Sequence, residues 1–313
     1  MGPDAARHRP VILTAGSLHL DVIVAAPGLP RPDQTLTGTG VTYAFGGKGG
    51  NQAVACARAG AEAHMAGAIG SDDFAITLRA ALDAAGVRRA GVQTHPGPSG
   101  MSVAILDPDG TYGAVIVSGA NLRYQPEATA LPKGCVLLLL QNEIPEAANL
   151  YLARRAVSAG IRVILNAAPA RNTAPDLLRL IDLLVVNRGE AADLLGRSES
   201  SLDPLAAARA LTALGPKATI VTLGAAGLAA DTFVQPPFQA KVVSSHGAGD
   251  AFTGALAAEW ARGSSLDTAA RFAQAAASLH VATPPDQRHS IAEIDIRTRL
   301  ARAVPLPGLP AKS

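Results

Sequence analysis

The stretch Ser245-His246-Gly247-Ala248-Gly249-Asp250-Ala251-Phe252 holds the densest chemistry in this chain. Gly247, Ala248 and Gly249 carry almost no side chain, so several backbone N–H groups can converge on one point. The residues after them, Ala251 to Arg262, read as a helix that stops at Gly263. Bare amides opening a helix make an oxyanion site, because the amides donate hydrogen bonds and the helix dipole adds partial positive charge. A carboxylate such as Asp250 should repel the anion that such a loop attracts. It fits if it takes a proton from a hydroxyl while the loop holds the charge of a transferring phosphoryl group. The same residues are also compatible with an ordinary helix capped by Asp after a glycine-rich turn.

A second cluster is Phe45-Gly46-Gly47-Lys48-Gly49-Gly50-Asn51-Gln52. Its glycines permit close approach of backbone to a ligand, and Lys48 and Asn51 bring a charge and an amide to the mouth of the following helix. GxxxxGK[ST] is absent, so this is no Walker A loop. The glycine spacing also fails the dinucleotide fingerprint. A plain glycine-rich turn is the alternative. Two further pieces sit at strand ends: Asn187-Arg188-Gly189-Glu190, and Thr222-Leu223-Gly224-Ala225-Ala226-Gly227. Ligands bind at the carboxyl ends of strands in parallel sheets. Asn187 and Glu190 suit a metal or phosphate there, and the two glycines suit a nucleotide edge. A helix-opening Asn and Glu, and a simple tight turn, are the bland alternatives.

The elements that must position these residues alternate along the chain. Val11 to Ala15, Ala63 to Ile69, Val136 to Leu140, Val163 to Leu165, Leu183 to Val186 and Thr219 to Leu223 read as strands. Helices are expected over 48–59, 74–85, 145–159, 175–181, 189–195, 203–214, 250–261 and 266–281. This alternation predicts an α/β fold with a mostly parallel sheet covered on both faces. Two segments break the rhythm: 18–45 and 98–118 contain β patterns with no helix between them. Met101 to Leu106, Asp107-Pro108-Asp109-Gly110 and Thr111 to Val117 give a hairpin signal. Neither face of that hairpin is strongly polar, so these segments read as a lid, one face closing over a ligand and the other meeting a second subunit. A homodimer joined through the lid is expected, because those outer faces are too apolar to leave wet. At 313 residues a single domain, 1–313, is expected, with an irregular tail after Val304.

Composition excludes several classes. The net charge is +2 and basic residues are scattered, so no nucleic-acid or acidic-membrane partner is expected. Cys56 and Cys135 are the only cysteines and lie in apolar contexts, which argues against a disulfide framework or a zinc site. Arg7-His8-Arg9 leads straight into a strand-like run without a cleavage pattern, and no apolar run is long enough to span a bilayer. A soluble, cytoplasmic protein is expected.

In this combination and order the pieces resemble the ribokinase family of carbohydrate kinases, the PfkB type. Gly46-Gly47-Lys48-Gly49-Gly50-Asn51-Gln52-Ala53 is similar to that family's first signature, and Gly247-Ala248-Gly249-Asp250-Ala251-Phe252 to its second. The resemblance runs from about Val11 to about Ala282 through Gly16-Ser17, Thr35-Leu36, Gly119-Ala120-Asn121, Asn166-Ala167-Ala168-Pro169-Ala170 and Asn187 to Glu190. It implies a three-layer α/β sandwich with a β-sheet lid, and an ATP- and Mg²⁺-dependent kinase acting on a sugar hydroxyl. Ribose to ribose 5-phosphate is the leading reaction. Another pentose or a nucleoside is the alternative, and a non-catalytic sugar- or nucleotide-binding regulator a further one.

The roles it implies are specific. Asp250 is the base, and the amides of Gly247, Ala248 and Gly249 form the anion hole. Asp21, Gly47, Lys48, Asn51 and Glu143 match positions that hold sugar hydroxyls, and His19 stands where a sugar-contacting Asn is usual. Asn187 and Glu190 act near Mg²⁺, partly through water, while Thr222, Gly224, Gly227 and Gln274 lie on the ATP side. The family's monovalent-cation site is altered. Ser244-Ser245 replaces Asp-Thr before the second signature, and Pro284-Pro285-Asp286 replaces a Gly-Ala loop. Ser244, His246 and Asp286 are the remaining candidates for holding K⁺. Weak potassium dependence is therefore expected, with the helix and the loop amides carrying the anion hole largely unaided.

Overall fold

Successive residues of a strand face opposite ways, so a strand buried on both sides must be apolar throughout. The computed structural model, which describes residues 9–107 and 112–302, shows this in the strand Cys135–Gln141. Leu137 and Leu139 enter one core, and Leu138 and Leu140 enter the other. The large sheet is built from β1 (Val11–Ala15), β4 (Glu62–Ile69), β5 (Arg88–Thr94), β8 (Cys135–Gln141), β9 (Arg162–Asn166), β10 (Leu183–Asn187), β11 (Thr219–Thr222), β12 (Leu228–Ala230) and β13 (Val234–Gln235). Its order is β13-β12-β11-β10-β9-β8-β1-β4-β5. The pairs from β11 through to β5 are parallel, and β12 and β13 add antiparallel strands at one edge.

Helices cover both faces. On one side lie α1 (Lys48–Arg58), α2 (Asp73–Ala84), α7 (Ala248–Ala261), α8 (Leu266–Ala282) and α9 (Glu293–Ala301). On the other lie α3 (Glu146–Ser158), α4 (Pro175–Leu178), α5 (Arg188–Leu195) and α6 (Pro204–Thr212). Alanine lets the helices of the first layer approach closely, and α1 against α7 is a tight case. A Cβ on Gly254 would lie 2.5 Å from the Ala55 Cβ and 2.6 Å from the Gln52 carbonyl oxygen. That contact seats Gln52 one helical turn from Asp250.

The expected helix over 175–181 is only the short α4, because Asp182 already joins the sheet. Its amide donates to the Val163 carbonyl and its carboxylate accepts from the Val163 amide. Three strands escape the sequence pattern. The edge strand β5 carries Arg88, Arg89 and Gln93, and β12 and β13 are too short to show a period.

The small sheet holds β2 (His19–Ala25), β3 (Gly40–Gly46), β6 (Gly100–Leu106) and β7 (Tyr112–Val117) in the order β3-β2-β6-β7. It is the small sheet expected over 18–45 and 98–118 and read there as a lid; the turn at 108–111 and the tail after 302 lie outside the described residues. Register puts Asp21 beside Ala44 and Ser102 on one face, and Val22 beside Tyr43 and Val103 on the other. The first face carries polar groups toward the large sheet. The second exposes Val41, Tyr43, Val115 and Val117. Among the described residues no helix is long and apolar enough to cross a membrane.

Candidate active site

The carboxyl ends of β1, β8, β9, β10 and β11 converge on the start of α7, where the second glycine-rich segment lies. Gly247 precedes the helix with φ +75°, a left-handed conformation that admits glycine readily. Asp250 follows in the first turn and is only 8% exposed. One carboxylate oxygen, Oδ1, accepts from Gln52 Nε2 at 2.9 Å, and Oδ2 accepts from Asn51 Nδ2 at 3.2 Å. Burial pushes the Asp250 carboxyl above its ordinary value, while Lys48 and the two amide donors pull it back. The result is a carboxylate more basic than a surface aspartate, fixed in direction by two side chains of α1.

Gln52 is itself held. Its Nε2 also donates to Asn166 Oδ1 at 2.9 Å, and its Oε1 accepts from Gln141 Nε2 at 2.8 Å. Asn166 in turn donates to the Val185 carbonyl at 3.1 Å. A buried amide chain thus runs from β8 and β9 to the Asp250 carboxylate.

In front of Asp250 lies a cavity of about 200 Å³. Lys48, Asn187, Glu190 and Thr222 line it together with Ser245, Gly247, Ala248 and Gly249. Ala248 donates its N–H to the Ser245 carbonyl at 3.1 Å. The amides of Gly247 and Gly249 donate to no acceptor among the described residues, so two of the three foreseen loop amides are free for an anion. Asn187 and Glu190 form a reciprocal capping box at the start of α5: Oδ1 of Asn187 accepts from the Glu190 amide, and Oε2 of Glu190 accepts from the Asn187 amide, each at 2.8 Å. Burial raises the Glu190 carboxyl above its ordinary value. Its second oxygen accepts no hydrogen bond among the described residues, and a hydrated Mg²⁺ that keeps most of its waters fits one such carboxylate beside an amide. Burial works against the Lys48 charge, but Asp250, Glu143 and Glu190 outweigh it and hold its pKa above normal.

On the lid side of Asp250, Glu143 Oε2 accepts from the Lys48 amide at 2.9 Å and from the Ser17 hydroxyl. Asp21, 7% exposed, accepts from the Ser102 hydroxyl at 2.6 Å and lies 3.7 Å from His246 Nε2. That contact with Asp21 holds the His246 imidazole above its ordinary pKa. His19 is buried with its Nε2 unpartnered, and desolvation lowers its pKa, so the ring is neutral.

The chain is similar to known proteins. The pattern of the pfkB family carbohydrate kinases matches residues 11–291. The chain belongs to that family. A ribokinase of Arabidopsis thaliana is 34% identical over 88% of this chain and 76% of its own length. A ribokinase of Haemophilus influenzae is 32% identical over 87% of this chain and 92% of its own. The solved structure of Arabidopsis thaliana ribokinase complexed with ribose and ATP superposes with a TM-score of 0.85 at 30% identity, covering 94% of this chain and 99% of that one. The chain is a phosphotransferase with an alcohol group as acceptor.

The kinase brings together Asp250, the loop amides, Lys48, Asn51, Asn187, Glu190 and Thr222 around one centre, with Asp21, Glu143 and His19 beside it. Gly47 opens α1, and its carbonyl accepts from the Asn51 amide. Gly224 and Gly227 form the turn after β11, whereas Gln274 is buried on α8 with Oε1 accepting from Arg271. None of these three lines the 200 Å³ cavity. Ser244 and His246 present backbone carbonyls to Arg288, while the Asp286 side chain is exposed and makes no hydrogen bond to residues 244–246. Sequence reasoning missed Arg288, Ser102, Gln141 and Asn166 as parts of the site. For Gln52, Gln141 and Asn166 the available signal was a buried amide at or beside a strand or helix end that faces the second signature.

Proposed function

We propose that this kinase transfers the γ-phosphoryl group of ATP to the primary hydroxyl of ribose, giving ribose 5-phosphate and ADP. The observation that carries it is Asp250: buried, made more basic by burial, aimed by Asn51 and Gln52, and facing the free amides of Gly247 and Gly249. Asp250 takes the hydroxyl proton as the sugar oxygen bonds to phosphorus and the bond from phosphorus to the ADP oxygen breaks. The loop amides and the opening of α7 hold the charge on the phosphoryl oxygens throughout. Lys48 keeps a positive charge between the carboxylates and the phosphates. Mg²⁺ bound with the nucleotide supplies charge neutralisation there, with Glu190 and Asn187 as the groups that hold its waters. Asp21, Gly47, Asn51 and Glu143 pair the remaining sugar hydroxyls, which must be satisfied once buried. Thr222, Gly224, Gly227 and Gln274 form the nucleotide side.

A second reading has a specific observation behind it. A cavity of about 630 Å³ extends from Asp250 and Asn51 past Tyr43 and Arg58 to Ile296. That space suits another pentose or a nucleoside as acceptor. A panel of pentoses, deoxypentoses and nucleosides with ATP and Mg²⁺, followed by ADP release, separates the two. The ribose reading expects ribose to give the highest kcat/KM; a nucleoside that exceeds it by tenfold overturns it.

A further inference from the structure

Arg288 is buried at 7% exposure, and among the described residues it forms no ion pair. All three of its hydrogen bonds go to backbone carbonyls. Nη2 donates to the Ser244 carbonyl at 2.8 Å, Nη1 to the His246 carbonyl at 2.9 Å, and Nε to the Thr283 carbonyl at 3.2 Å. His280 Nε2 donates to the same His246 oxygen at 2.8 Å. Burial, then Arg288 and other nearby cations, push the His280 imidazole down to about 4, so it acts as a neutral donor.

An uncompensated buried cation is costly. This one lines the 630 Å³ cavity beside the loop that opens α7, whose amino end already carries partial positive charge. Arg58, its neighbour, adds a second guanidinium. Such an arrangement becomes favourable when an anion occupies the other side of the loop. Peptide geometry supplies the link. In a trans peptide the carbonyl and the following N–H point opposite ways. Pulling the Ser244 and His246 oxygens toward Arg288 turns the amides of Ser245 and Gly247 toward the 200 Å³ cavity, and both residues line it.

We propose that Arg288 is a positioning residue for phosphoryl transfer: its planar guanidinium grips the Ser244 and His246 carbonyls, sets the Gly247 amide of the anion hole and the Ser245 amide beside it, and supplies a positive charge fixed to the chain. The proposal rests on the reading of residues 247–249 as the anion hole. The loop is thus not unaided, and the aid is internal.

The test compares wild type with Arg288→Met and Arg288→Lys, using the best acceptor of the panel. Arg288→Met is expected to lower kcat about 10- to 100-fold, less than the roughly 10²–10³-fold loss of an oxyanion donor itself, with KM for the sugar within about threefold. Arg288→Lys keeps the charge but not the fork, and should fall between. Millimolar guanidinium should restore part of the kcat of Arg288→Met and nothing to wild type. Replacing K⁺ by tetramethylammonium at constant ionic strength should leave wild-type kcat within about twofold. Hydrogen exchange in the peptide spanning 244–250 should speed up in both variants. This readout needs no turnover, so it stands even if the panel shows no phosphorylation and the kinase reading itself fails. If Arg288→Met does not fold, Arg288→Lys alone decides by kcat and exchange. Variants with wild-type kcat and unchanged exchange overturn the proposal, as does a wild type that loses more than tenfold without K⁺.

Discussion

Replacing Gln52 by Leu keeps the shape and size of a fully buried side chain while deleting its three hydrogen bonds. The change strands Asp250 Oδ1, Asn166 Oδ1 and Gln141 Nε2. Each buried polar group left unpaired costs about 1–3 kcal/mol, and the Leu side chain returns about 1–2 kcal/mol through apolar burial. The expected net loss of stability is about 1–8 kcal/mol by this arithmetic, measured by urea unfolding with m unchanged. Catalysis should shift in a defined direction too. As the proposed base, Asp250 is active as the carboxylate, so activity should be lost as pH falls through its pKa. Burial has already raised that pKa, and Gln52 is one of the groups restraining it. Gln52→Leu should therefore move the acid limb of the kcat/KM profile to higher pH. It should also lower kcat about 10-fold or more, since a hydrogen bond to a charged group is worth about 1.5–3 kcal/mol and about 1.4 kcal/mol is tenfold. A variant with stability within about 0.5 kcal/mol of wild type, the scatter of surface changes, and an unmoved acid limb would refute the idea that this amide chain sets the base.

The remaining predictions concern the lid and the sugar. Val41, Tyr43, Val115 and Val117 leave an apolar outer lid face exposed, so the protein should be a homodimer by light scattering at micromolar concentration, and Val115→Glu should shift it to monomer; a monomeric wild type ends that idea. His19→Asn replaces a neutral ring whose Nε2 is unpartnered and should change the ratio of kcat/KM between two pentoses by about tenfold, the scale of one polar contact; an unchanged ratio removes His19 from acceptor choice. Ser102→Ala frees Asp21 from its 2.6 Å hydrogen bond and should raise KM for the sugar about five- to tenfold, the worth of one hydrogen bond, with kcat nearly kept; equal KM values in the two proteins would place Asp21 away from the acceptor.

The two glycine-rich segments are readable in the sequence because their chemistry is local. Backbone amides at a helix start and an adjacent Asp lie within a few positions of each other. The parallel sheet is readable because runs such as Leu183 to Val186 are apolar on both faces. The edge strand β5 is not, since half of it faces solvent and its Arg88 and Arg89 hide any period. The groups that aim Asp250 are long-range: Gln52 and Asp250 are 198 positions apart, and Gln52 and Asn166 are 114 apart. Nothing in either segment alone says that these amides meet. Arg288 is hidden for a different reason. Two prolines precede it, and the path of 284–291 decides whether Asp286 or Arg288 turns toward the loop. The short helical turn Pro285–Ser290 sends the arginine inward and leaves the aspartate exposed.

In the proposed reaction, phosphoryl transfer turns on Asp250. Asp250→Asn keeps the size and one oxygen of the side chain but cannot accept the hydroxyl proton. Steady-state turnover should fall by roughly 10²–10⁴-fold, the usual worth of a positioned base, while calorimetric titration shows sugar binding within a few-fold of wild type. Turnover in the variant within a few-fold of wild type would contradict the role of Asp250 as the base.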